Sequence, residues 1–104
     1  MINSKFLYEQ GNIKEIQVSG HANYKTHGKD IVCAAVSTSI LVTANAIEHL
    51  KLNQYIDLTI DEGYFKIKLK DNNPIVLGLI QNLEYTLLDL EKQYPKYMKN
   101  QKEG

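Results

Sequence analysis

Hydrophobic and polar positions along this 104-residue chain alternate in two regions and repeat at helical spacing in two others. Residues 2–9 and 13–19 read as two strands carrying Phe6, Leu7, Tyr8, Ile13, Ile16 and Val18, joined around the turn signal Gln10-Gly11-Asn12. Further on, Ile56, Leu58 and Ile60 alternate with Asp57, Thr59 and Asp61. Past Asp61-Glu62-Gly63, Phe65, Ile67 and Leu69 alternate with Lys66, Lys68 and Lys70. Period two on both sides of a glycine-bearing turn predicts a second hairpin. Its acidic and lysine positions form a solvated face, where opposite-charge cross-strand pairs contribute about 0.2–1 kcal/mol each.

Between the hairpins, Ile31 to about Leu50 reads as a helix in which Ala34, Ala35, Ser37, Ser39, Ala44 and Ala46 are interspersed with Val36, Ile40, Leu41, Val42 and Ile47. β-Branched residues lower helix propensity by roughly a few tenths of a kcal/mol each, so packing has to hold this segment helical. Residues 31–47 carry no charge. The run is shorter than the about 20 apolar residues a spanning helix needs and is interrupted by Ser37, Thr38, Ser39, Thr43 and Asn45, which favours a buried core helix over a membrane span. After the second hairpin, Asn72-Asn73-Pro74 supplies a cap and a proline at the first helical position. Val76, Leu79, Ile80, Leu83, Leu87, Leu90 and Tyr94 then form one apolar stripe, which Pro95 ends. The polar residues 96–104 read as a frayed tail. The predicted order is ββαββα in a single domain over residues 1–95. It is an α+β fold with a four-stranded, mostly antiparallel sheet and two packed helices.

Twelve lysines balance twelve acidic residues and arginine is absent, so the bidentate fork favoured for phosphate and guanine is missing. Nucleic acid is therefore not the expected direct ligand. A single cysteine allows neither an internal disulfide nor a cysteine-rich zinc site, and the start Met-Ile-Asn-Ser-Lys lacks the apolar core of a signal peptide. The expected compartment is the cytoplasm, and no metal or organic cofactor is called for.

The chemistry concentrates in Gly20-His21-Ala22 and, after a short polar loop, Gly28-Lys29-Asp30-Ile31-Val32-Cys33-Ala34-Ala35-Val36-Ser37. Taken alone, a cysteine among alanine and valine reads as a small buried hydrophobe. Its place after a glycine-bracketed loop changes that reading. With Asp30 capping a helix that begins at Ile31, Cys33 is the third helical residue, where the helix dipole favours thiolate over thiol. His21 is the candidate base and His27 its rival; His49 reads as structural, suited to a helix C-terminus. Asp30 either caps the helix or orients the base histidine. Ser37, one turn after Cys33, could reach the thiolate or a substrate carbonyl, or bond back into the helix.

These two blocks resemble the ribosomal-processing cysteine protease family (Prp), small bacterial proteins of about this length. The resemblance implies that His21 and Cys33 are the catalytic pair, with Gly20, Gly28, Asp30 and Ser37 supporting them or the substrate. It also implies that the substrate is the N-terminal extension of large-subunit ribosomal protein twenty-seven, cleaved after an aromatic residue, and that the protein is a homodimer. The rival reading is a non-catalytic adaptor of the same fold that binds a ribosomal protein or an assembly intermediate, with Cys33 packed in the core.

Overall fold

The computed structural model describes residues 1–20 and 27–104, with residues 27–30 described by backbone alone. The elements are β1 (Ile2–Glu9), β2 (Asn12–Ser19), α1 (His27–His49), a 3-10 turn (Asn53–Tyr55), β3 (Ile56–Asp61), β4 (Tyr64–Leu69), α2 (Pro74–Gln93) and β5 (Met98–Glu103). The strands form one sheet in the order β3-β4-β2-β1-β5. All neighbours are antiparallel except β1 and β5, which are parallel. The predicted α+β class stands, with a fifth strand added. Gln10 and Gly11 turn the first hairpin with φ of 53° and 81°, the mirror-image turn whose twist matches that of the strands.

The register assigns each side chain to a face. Phe6, Ile16, Ile67 and Leu58 form one row across the sheet, and Ser4, Val18, Phe65 and Ile60 form the next. Both helices lie on this side. Val32, Val36, Ile40 and Ile47 of α1 and Val76, Ile80, Leu83 and Leu87 of α2 join Ile2, Phe6, Ile16, Val18, Phe65 and Ile67 in one core. Each large apolar side chain fully buried there contributes about 1.5–3 kcal/mol. The opposite face carries Gln17, Lys66 and Thr59 in one row and Glu15, Lys68 and Asp57 in another, exposed or half-buried as the alternation predicted except for Glu15, which is buried. α2 starts as expected: the Asn73 side chain accepts hydrogen bonds from the N–H groups of Ile75 and Val76 at 3.0 and 3.1 Å. Ile31–His49 is long and apolar enough in composition to cross a membrane, yet it contributes a full row of side chains to the core.

Three expectations change. Leu58 and Ile60 stay exposed, because β3 is an edge strand that the helices do not reach over. The C-terminal residues are not frayed. Met98–Glu103 pairs along β1, the Met98 side chain is buried, and the Asn100 amide donates to the Leu87 carbonyl at 2.9 Å and to the Glu91 carboxylate at 3.0 Å. A polar segment becomes a strand here because β1 would otherwise leave a row of backbone groups unpaired beside the core. Finally, α1 begins at His27 instead of Ile31. Nothing between those residues stops a helix, and each residue added to its start gains a backbone hydrogen bond at little further cost. Asp30 therefore sits inside the first turn and is not the cap.

A Met98→Ala substitution should cost about 2–5 kcal/mol in denaturant unfolding, the range for truncating a buried long side chain. A frayed tail would leave the unfolding midpoint where it was.

Candidate active site

Packing of α1 determines where its cysteine goes. Val32, Val36 and Ile40 recur every fourth residue and are buried. At 3.6 residues per turn, the row one residue on, Cys33, Ser37 and Leu41, lies about 100° further round the helix. That row flanks the core without entering it. Cys33 is half-buried, while Ser37 and Leu41 are exposed. The row faces the end of the β3–β4 hairpin across a cavity of about 360 Å³, with Ile60, Asp61, Glu62 and Tyr64 on the far side and Ile2, Val18 and Phe65 along its floor. This volume lies within the range of small-molecule and side-chain sites, roughly 300–1,000 Å³. The arrangement presents a thiol to an open, largely apolar groove.

Gly20 lines the same cavity, and its geometry shows why no other residue fits. Its φ is +103°, and a Cβ built there would lie 2.3 Å from the Met1 carbonyl oxygen. Its N–H donates to the Gly63 carbonyl at 3.3 Å. The end of β2 is thus held between the start of β1 and the hairpin turn, one residue before His21. His21 itself lies outside the described residues, as do the side chains of His27, Lys29 and Asp30, so the pairing of a histidine with Cys33 is not part of the described geometry.

The earlier helix start changes the place of the cysteine along α1. Cys33 is the seventh residue of α1, in its second turn, not the third. The four N–H groups that have no partner within the helix belong to residues 27–30, a turn earlier. Gly28 and Asp30 fall within that first turn. Ser37 stands where predicted, on the cavity wall. His49 closes the last turn as the basic residue of the C-terminus. The sequence reading missed the opposite wall: Ile60, Asp61, Glu62 and Tyr64 looked like a hairpin and its turn, and only the strand order brings them to the cysteine.

Comparisons with known proteins bear on the family of the whole chain. The family model described as cysteine protease Prp matches residues 1–99. The ribosomal processing cysteine protease Prp of Staphylococcus aureus is 30% identical over 89 residues, covering 83% of each chain. The protein of the same name from Bacillus subtilis is 33% identical over 61 residues, 58% of this chain and 54% of that one. The crystal structure of the essential ribosomal processing protease Prp from Staphylococcus aureus in complex with a substrate peptide superposes with a TM-score of 0.89 at 26% identity, covering 99% of this chain and 100% of that one. The same protease with a covalently linked product peptide gives 0.85 at 27% identity, with the same coverage. Sequence and fold lead to one conclusion: this chain belongs to the cysteine protease Prp family.

Proposed function

We propose that the protein is a cysteine endopeptidase that removes the N-terminal extension of large-subunit ribosomal protein twenty-seven in the cytoplasm during ribosome assembly. The observation that carries this reading is Cys33 on the wall of an apolar groove open to solvent. A purely structural cysteine on α1 would be expected in the buried row with Val32 and Val36. The adaptor reading gives no reason for a thiol on that wall.

In the reaction, Cys33 Sγ attacks the scissile carbonyl carbon. His21 takes the thiol proton and then delivers it to the leaving amine as the C–N bond breaks. Water, deprotonated by the same imidazole, hydrolyses the resulting thioester and restores the thiol. In this reading the Asp30 carboxylate, in the first turn of α1, orients the base histidine. Ser37 contacts the substrate from the wall beside Cys33, and Gly20 and Gly28 set the chain path on either side of the histidine. The cavity accepts the bulky apolar side chain that precedes the scissile bond. Its burial contributes about 1.5–3 kcal/mol to binding.

The outward side of α1 bears on the oligomeric state. Ile31, Ala34, Thr38, Val42 and Asn45 recur at intervals of three and four residues and are exposed, Val42 at 62%. An uncharged face of small and apolar residues matches itself across a two-fold axis, and the protein is proposed to be a homodimer packed through α1.

Cys33→Ala and His21→Ala should each lower cleavage of the organism's own ribosomal protein twenty-seven precursor by at least about 10²-fold while leaving the circular dichroism spectrum unchanged. Mapping the new N-terminus identifies the bond, and parental cleavage by Cys33→Ala would end the protease reading. In a matched peptide pair, phenylalanine before the scissile bond should exceed alanine by about tenfold or more in kcat/KM; equal values would remove the pocket from the account.

Light scattering at micromolar concentration should give the mass of two chains, and that of one chain for Val42→Glu. A single-chain mass for the parent protein would exclude a stable dimer.

A further inference from the structure

The two edges of the sheet differ in a way that the cysteine chemistry does not explain. β5 carries Lys99 and Lys102 along its edge, the kind of charge that blocks unwanted strand pairing. β3, with sequence Ile-Asp-Leu-Thr-Ile-Asp, has neither lysine nor proline and no irregularity in its register.

Its free backbone groups follow from the pairing. Asp61 pairs with Tyr64 directly across the two-residue turn, and the Gly63 carbonyl accepts from Gly20 N–H on β2. Backbone groups alternate in direction along a strand. Gly63, Phe65 and Ile67 therefore point toward β2, while Tyr64, Lys66 and Lys68 bond to Asp61, Thr59 and Asp57 of β3. The N–H and C=O groups of Leu58 and Ile60 consequently point away from the sheet, and among the described residues no strand meets them. Their side chains lie on the helix-bearing side, 42% and 57% exposed. Ile60 also lines the cavity that holds Cys33.

We infer that the free edge of β3 is the rail on which the peptide substrate binds, adding a strand whose residues before the scissile bond pair with Leu58 and Ile60. The inference rests on the protease reading above and specifies how that site takes its substrate. Ile60 belongs both to the edge and to the cavity, so a peptide with its apolar side chain in the cavity continues along β3 without a bend. At about 3.3 Å per residue, four to six leader residues cover the strand. Main-chain hydrogen bonds then supply affinity, and alternate side chains lie over Leu58 and Ile60. A second copy of the chain is the competing occupant of this edge.

The test uses a synthetic peptide spanning the leader and the first mature residues of the organism's own ribosomal protein twenty-seven, N-methylated singly at each leader position from the third before the scissile bond outward. An added strand points every second N–H at β3, so KM should rise about 3- to 10-fold at alternate positions and stay at the parental value between them. Equal effects at neighbouring positions would overturn the proposal. Leu58→Pro removes an outward N–H while keeping the β3–β4 ladder, which proline at an edge allows. It should raise KM by about the same factor with kcat unchanged. Should that variant not fold, the N-methyl series decides alone. A folded Leu58→Pro protein with parental KM and half the parental mass would overturn the proposal and assign the edge to chain pairing. An unmodified peptide left uncut would remove the protease reading, and this inference with it.

Discussion

The site depends on how α1 is rotated against the sheet. Burying Val32, Val36, Ile40 and Ile47 fixes the helix about its own axis, since turning it by one residue would take several valine and isoleucine side chains out of the core and expose them. With that rotation fixed, the row of Cys33, Ser37 and Leu41 faces the groove. The cysteine needs no loop of its own to be presented. Its position beside the core gives it both a rigid base and access to solvent, the combination that a nucleophile on a small scaffold requires. The long uncharged segment that resembles a membrane span by composition is thus a helix with two apolar sides, one committed to the core and one left outward.

The second constraint is the strand order. β2 lies between β1 and β4, so its C-terminal Gly20 sits where the start of β1 and the β3–β4 turn converge, with the Met1 carbonyl and the Gly63 carbonyl on either side. Only a residue without a side chain tolerates that approach at φ +103°. Gly20 therefore ends the described strand at the cavity wall, and the glycine in the Gly-His-Ala block has a structural reason for its identity apart from any role in catalysis.

Much of this was readable from residue pattern. The two hairpins followed from alternation and glycine turns, and α2 from the Asn73-Pro74 start and a stripe of leucines whose central members are buried. β5 was not readable. Met98 is its only buried side chain, Asn100 reaches α2 only through tertiary hydrogen bonds, and what holds the segment extended is the unpaired edge of β1, far away in sequence. The helix start was misplaced for a related reason. Asp30 is a good cap residue, but Gly28 and Lys29 do not forbid helix, and local cues of similar strength leave the boundary to the rest of the fold. At the site, Cys33 and Ser37 were legible from spacing along one helix. The hairpin wall was not, because Ile60 and Glu62 reach the cysteine through the order of strands and not through any pattern of their own.

A nucleophilic Cys33 presented to the groove differs in reactivity from a cysteine that only packs against the core. The most direct measurement is the rate of Cys33 alkylation by iodoacetamide at neutral pH, beside a model thiol and beside the His21→Ala protein. As a nucleophile, Cys33 in the parent protein should react faster than the model thiol, and His21→Ala should remove the advantage. Slower reaction than the model thiol, unchanged by His21→Ala, would contradict that role.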